Sequence, residues 1–187
     1  YPALIDTLDG WDEQLLAAGQ FLIKKREEFV YFLDEMMARI HSQLTGGKEQ
    51  MKVEYEKNVS ADEFERKLQT SRKRDLKVKM SMTGPHRDDL LFEVKGVDIR
   101  RFGSQGQQRS CVLALKLAEA SLLKEMTDDE PLALLDDVMS ELDESRQDYI
   151  LNHIKNWQVF ITCCDANTVL RLKKGKTFHI ENGRCIG

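Results

Sequence analysis

Leu132-Ala133-Leu134-Leu135-Asp136-Asp137 is an apolar run that stops on two carboxylates. A run this short, flanked by polar residues, predicts a buried strand that delivers its acids to the C-terminal edge of a sheet. Roughly thirty residues earlier, Gly103-Ser104-Gln105-Gly106-Gln107-Gln108-Arg109 forms a polar, Gly-containing loop that opens a helical pattern over Val112 to Met126. A helix start carries unpaired N–H groups and the positive end of the helix dipole, which suits an anion such as phosphate. Open α/β sheets bind ligands at the carboxyl edge of their strands, and a carboxylate there is a usual way to hold the magnesium of a nucleotide. Ser140-Glu141-Leu142-Asp143 then makes a short polar turn into a further helix. An α/β layer that handles a phosphorylated ligand accounts for all three segments in this order.

The order S-x-G-Q, apolar strand with D-D, S-x-L-D resembles the signature, Walker B and D-loop series of ABC-type ATPases. Such a site also needs a phosphate-cradling loop, G-x-x-x-x-G-K-[ST]. Gly175-Lys176-Thr177 has the tail of that motif, but Leu170 stands where its first Gly belongs, and Thr177-Phe178-His179-Ile180 has strand character where the motif must enter a helix. A charged hairpin turn before an edge strand is the expectation there. The sequence is therefore expected to hold half of an ATPase, as a piece of something longer that begins at Tyr1.

The 187 residues carry a formal net charge of −4, which argues against a free-standing nucleic-acid-binding module but allows a local basic face. No apolar run of membrane length occurs. Cys111, Cys163, Cys164 and Cys185 form no C-x-x-C pair. Reduced thiols in core or strand positions, and so a cytoplasmic setting, are expected.

From Trp11 to about Thr45 the pattern is helical: Leu15, Leu22, Phe29 and Met36 recur at seven-residue spacing, with Leu33, Ile40 and Leu44 beside them. Its length predicts an arm, ended by Gly46-Gly47, with a short strand at Met51, Val53 and Tyr55. Ser60-Ala61-Asp62-Glu63 fits a capping box, so a second helix is predicted through Phe64 and Leu68 toward Leu76. Its C-terminal half carries Arg66, Lys67, Arg72, Lys73, Arg74, Lys77 and Lys79. These cations make either a solvated helix face or a phosphate-contacting patch on nucleic acid, with Arg72, Lys73, Arg74 and Lys77 as candidate DNA contacts. A domain boundary is expected near Met82, giving a helical arm over 1–80 and the head over 81–187. Strands are predicted at Asp89–Lys95, Val97–Arg101 and Val159–Thr162, a helix at Glu144–Asn156 and a hairpin at Phe178–Ile180, all α/β in class.

Thr83-Gly84-Pro85-His86-Arg87-Asp88-Asp89, ahead of Ser104-Gln105-Gly106-Gln107-Gln108-Arg109, resembles the RecF family of bacterial recombination-mediator ATPases. The resemblance extends through Leu113 to Glu119, Leu134 to Val138, Ser140 to Asp143, and Arg146. It implies the C-terminal part of an ABC head related to those of SMC proteins, with a helical second domain in place of a long coiled coil. It also implies ATP and Mg2+ as cofactors, an ATP-dependent homodimer, binding to duplex DNA near gaps, and action with a RecR-like mediator to help load RecA.

Site roles follow from the resemblance. Ser104, Gln105, Gly106 and Gln107 are nucleotide-binding in trans: the Ser104 hydroxyl and Gly106 N–H touch the γ-phosphate held by the partner subunit, and Gln107 supports the loop. Ser104 as a plain N-cap is compatible with this. Asp136 helps hold magnesium. Asp137 is catalytic, standing where most ABC ATPases have the Glu that orients water, and being one methylene shorter it implies slow hydrolysis. Ser140 and Asp143 belong to the D-loop. Cys163 and Cys164 occupy the stretch of the usual switch His, which a thiol cannot replace as a hydrogen-bonding group. His86 and Arg87 either reach phosphate or pair with Asp88 or Asp89. Two other readings stand beside this one, another SMC-like ABC head and a non-enzymatic helical interaction module.

Overall fold

The structure, a computed structural model, describes residues 7–154, 156–164 and 175–186, and the chain divides into two compact units between Leu122 and Leu123. The first unit opens with the arm helix α1, Leu8–Leu44, which presents Ile23, Val30, Leu33, Met37 and Ile40 to the interior. Strand β1, Met51–Glu56, follows a turn in which Gly46 and Gly47 both have φ in the left-handed region (61° and 75°), where a Cβ would be strained. Helix α2 is Phe64–Val78. The predicted capping box forms at its start: the Glu63 N–H donates to Ser60 Oγ at 3.3 Å and the Ser60 hydroxyl donates to the Glu63 carboxylate at 3.3 Å.

Phe64 is fully buried against α1, in a cluster with Ile23, Val59, Ala61 and Leu68. Gly19 makes that fit possible, because a Cβ there would lie 2.4 Å from Phe64 Cε1. A 3-10 turn at Pro85–Arg87 leads to β2, Asp89–Val94, and β3, Val97–Asp98. The sheet runs β1-β2-β3, antiparallel throughout, with Met51 opposite Val94 and Glu56 opposite Asp89. Met51 and Val53 point to the face that α1 covers, while Lys52 and Glu54 point away, the alternation of a half-buried strand. This pairing joins strands on either side of position 81.

The third strand is shorter than predicted. The chain turns at Ile99 into a one-turn helix α3, Ile99–Phe102, because the Asp98 side chain accepts the Arg100 N–H at 2.9 Å and caps it. Helix α4, Gln105–Thr127, begins well before the predicted Val112 and buries Ser110, Cys111, Leu113, Ala114, Leu117 and Ala118.

In the second unit β4, Leu132–Asp136, pairs in parallel with β5, Gln158–Thr162, so that Asp136 stands opposite Thr162. Between them come a 3-10 turn at Val138–Glu141 and helix α5, Glu144–His153, which ends three residues before the predicted Asn156. Leu134 and Phe160 are 71% and 54% exposed, although parallel strands of this composition are normally covered on both faces. β6, His179–Glu181, and β7, Arg184–Ile186, form an antiparallel hairpin around Asn182 and Gly183. Its turn is thus at Asn182-Gly183; Gly175, Lys176 and Thr177 precede β6 in irregular backbone, and Leu170 lies outside the described residues.

Candidate functional site

Gly103 sits where a Cβ would come within 2.6 Å of the Ile99 carbonyl, so the end of α3 and the start of the loop are drawn together by the absence of a side chain. At Ser104 the chain makes a complete capping box. The Gln107 N–H donates to Ser104 Oγ at 3.3 Å, and the Ser104 N–H donates to Gln107 Oε1 at 3.0 Å. The Gln108 side chain secures the other flank by donating to the Ile99 carbonyl at 3.1 Å. The capping bond uses a lone pair of the Ser104 hydroxyl, which leaves its O–H proton available to an incoming acceptor. Ser104, Gln105 and Gly106 are exposed, and a Cβ on Gly106 would meet nothing within 4 Å, so a ligand can approach this helix start closely. Gln107 is half-buried, with its amide nitrogen donating to Glu49 Oε1 at 2.9 Å.

At the strand end of the second unit, Thr162 bridges the two acids. Its hydroxyl donates to Asp136 Oδ1, while the Asp137 N–H donates to both the carbonyl and the hydroxyl of Thr162 at 3.1 Å. Asp137 adopts φ 51° and ψ 15°, a left-handed conformation that Asp tolerates better than most residues and that turns the chain sharply out of β4. Asp136 is exposed and pairs with no cation among the described residues, so its oxygens suit a hard cation. Ser140 lies in the following 3-10 turn, and Asp143 caps α5 by accepting the Arg146 N–H at 3.0 Å. Cys163, half-buried, and Cys164, exposed, follow β5 directly. Cys111 is buried in α4, and desolvation pushes its thiol up to about 11.

The Gly84–Asp89 segment is tied into the first unit. Gly84 has φ 137° and its N–H donates to Asn58 Oδ1 at 3.0 Å. The Asp88 side chain, 2% exposed, accepts from the Asn58 N–H at 2.8 Å, from Arg26 at 3.3 Å and from the Tyr55 hydroxyl. Burial, followed by the bond to Asp88, pushes the Tyr55 phenol up to about 12. Asp89 pairs with Arg100 at 2.7 Å, which holds its carboxyl below the usual range. Neither acid pairs with His86 or Arg87, contrary to one of the two expectations for those residues. The His86 ring bonds the Ser81 carbonyl at 2.9 Å, and Arg87 approaches the thioether of Met82 at 3.2 Å. Arg26 and Tyr55 simply reach Asp88 first, across the helix–sheet packing.

Within the basic cluster the four candidates differ. Arg72 is held by Asp9 at 2.6 Å and Asp12 at 2.5 Å, fastening α2 to the start of α1. Arg74 lies beside Asp75 at 3.5 Å. Lys73 and Lys77 are exposed and make no ion pair among the described residues. Sequence patterning misses Glu49, Arg26 and Thr162. Glu49 and Arg26 act over separations of about sixty residues that leave no local trace, whereas the polar end of the Val159–Ile161 run was a usable signal for Thr162.

No protein-family model matches the chain. It is similar to curated proteins named DNA replication and repair protein RecF. It is 49% identical over 185 residues to that of Agathobacter rectalis, covering 98% of this chain and 51% of the relative. To that of Lachnospira eligens it is 42% identical over 185 residues, with the same two shares. Among solved structures it matches the recombination mediator protein RecF-ATPrS in the RecFOR pathway at TM-score 0.82 and 33% identity, covering 96% of this chain and 50% of that one. It matches RecF-ATP in the same pathway at TM-score 0.76 and 34% identity, covering 87% and 46%. The chain spans about half the length of the curated relatives it matches.

Proposed function

Since the chain belongs to the RecF family and matches the C-terminal portion of its members, we propose that it serves as that portion of a DNA repair and recombination ATPase. Residues 81–187 contribute the signature, Walker B and D-loop part of an ABC head, and residues 1–80 the helical arm. The apolar side chains left exposed on β4 and β5 support a place in a larger covered sheet. The complete protein dimerises on ATP with Mg2+, binds duplex DNA at gaps, and works in the cytoplasm with a RecR-like mediator to help load RecA.

The observation that carries the nucleotide reading is the Ser104–Gln107 box, which rigidifies an exposed helix start while leaving a hydroxyl proton and backbone N–H groups outward. Ser104 and Gly106 donate to the γ-phosphate on the partner subunit, and Gln105 and Gln107 shape the loop. Asp136 holds Mg2+, which neutralises phosphate charge when bound. Asp137 orients the attacking water, at a reach that makes turnover slow, and Ser140 and Asp143 order the turn beside the dimer junction.

Ser104→Arg in the complete protein crowds that junction without touching the nucleotide on its own subunit. Light scattering should show ATP-driven dimers lost while a titration shows monomer ATP affinity unchanged. Normal dimerisation, or loss of monomer binding, removes Ser104 from its trans role. For DNA, Lys73, Arg74 and Lys77 are the side chains proposed to contact phosphates, with Arg72 mainly fastening the arm. Reversing those three to Glu should weaken binding and flatten its salt dependence by roughly one in log K per log salt for each lost contact. An unchanged slope leaves the cluster a solvated face.

A further inference from the structure

Glu49 lies between α1 and β1, in a segment fixed by the Lys95 N–H donating to the Gln50 carbonyl at 3.2 Å. Its two carboxylate oxygens face different elements. Oε1 accepts from the Gln107 amide nitrogen at 2.9 Å, and Oε2 lies 3.8 Å from Nε2 of His41, which is fully buried in the last turn of α1. The Glu49–Gln107 contact spans 58 residues and is part-buried, so it is a feature of the tertiary fold and not of the loop itself.

We propose that Glu49 is a positioning residue for the signature loop, fixing the Gln107 amide and tying the loop to the end of the arm helix. This rests on the ATP-dimer reading above. An amide has two faces, and only one of them serves the capping box. Gln107 must offer its oxygen to the Ser104 N–H, because an amide nitrogen there would set donor against donor. A carboxylate can only accept hydrogen bonds. By taking the amide nitrogen, Glu49 selects the orientation that leaves Oε1 to Ser104. Ser104 then holds the backbone geometry from which its hydroxyl and the Gly106 N–H donate. The same carboxylate lies beside His41 at the buried end of α1, so the loop is held next to the arm at one residue.

The experiment is an amide–acid exchange in the complete protein. Gln107→Glu keeps an acceptor for Ser104 but sets two carboxylates against each other; it should raise the ATP concentration for half-maximal dimerisation by about tenfold, the worth of one charged hydrogen bond. Adding Glu49→Gln restores a donor–acceptor pair and should bring that concentration back to within about threefold of wild type. Monomer ATP affinity should stay within about twofold throughout, since the loop serves the partner's nucleotide. Failure of the exchange to recover dimerisation overturns the proposal, as does a parallel loss of monomer ATP binding. Should Gln107→Glu not fold, Glu49→Gln alone against Glu49→Lys gives the same contrast, because a lysine can only donate and turns the amide over. Equal dimerisation by those two overturns it. A wild-type protein that does not dimerise on ATP sinks the reading and the inference together, whereas a Ser104→Arg loss without exchange recovery sinks only the inference.

Discussion

Two Asp-Asp pairs, 88–89 and 136–137, look alike in the sequence and are opposites in the structure. Asp88 is enclosed by Arg26, Tyr55 and the Asn58 N–H, and Asp89 lies against Arg100. Asp88 is neutralised in the interior and holds the Gly84 segment against α1 and β1, while Asp89 is exposed but paired. Asp136 takes a single hydroxyl, that of Thr162, and is exposed with no cation among the described residues. One pair does structural work; in the other, Asp136 keeps its capacity for a ligand. A carboxylate's use is set by whether the protein brings a cation to it, and that information is tertiary.

The largest expected effect falls on the enclosed acid, Asp88. Asp88→Ala leaves the Tyr55 hydroxyl and the Asn58 N–H without their acceptor and removes Arg26's anion. A loss of about 3 kcal/mol follows from a buried charged acceptor with several donors. Urea unfolding of the complete protein should show the midpoint of this region falling sharply; a shift under about 0.5 kcal/mol would mean water replaces the carboxylate and the contrast between the pairs fails.

A smaller effect tests how tightly that site excludes charge. Tyr55 titrates at about 12 when folded, above its ordinary value near 10. A raised pKa means the folded state resists deprotonation, so the stabilisation is complete below pH 10 and is lost as pH rises from 10 through 12. Tyr55→Phe costs about 1 kcal/mol at neutral pH for the lost hydrogen bond to Asp88. The variant should also lose less stability than wild type across that alkaline window. Parallel pH profiles would place the phenol in solvent and weaken the enclosed reading.

How much of this was legible beforehand follows from the range of each interaction. The arm helix, the Ser60–Glu63 box and the β4 strand were visible because heptad spacing, capping residues and apolar runs are local signals. The end of β3 is not legible in the sequence, because Val97 and Ile99 alternate as a strand would while the Asp98 cap outweighs that pattern. Arg72 looked like one cation among many; Asp9 and Asp12 single it out from across the helix pair. For the same reason the two acid pairs could not be told apart, since Arg26 lies 62 residues from Asp88.

The least disturbed fold should be that of the exposed pair, and this separates structural from functional acids most cleanly. Asp136→Asn keeps an oxygen that can accept the Thr162 hydroxyl, and Asp137→Asn places in the left-handed conformation a residue that tolerates it as well as Asp. The first change strands no cation among the described residues and the second keeps the backbone conformation, so each should alter stability by less than about 0.5 kcal/mol. Their functional effects should nevertheless differ. On the roles proposed above, Asp136→Asn weakens the protein ligand for Mg2+ and should reduce ATP-driven dimerisation. Asp137→Asn leaves that ligand but removes the carboxylate proposed to orient water, so its ATP dimers should persist longer than wild type. Light scattering after a chase with excess ADP measures that lifetime beside the urea midpoint. A marked drop in midpoint for either variant makes the strand-end acids structural, like Asp88; unchanged dimer lifetimes with Asp137→Asn take the water-orienting role away from Asp137.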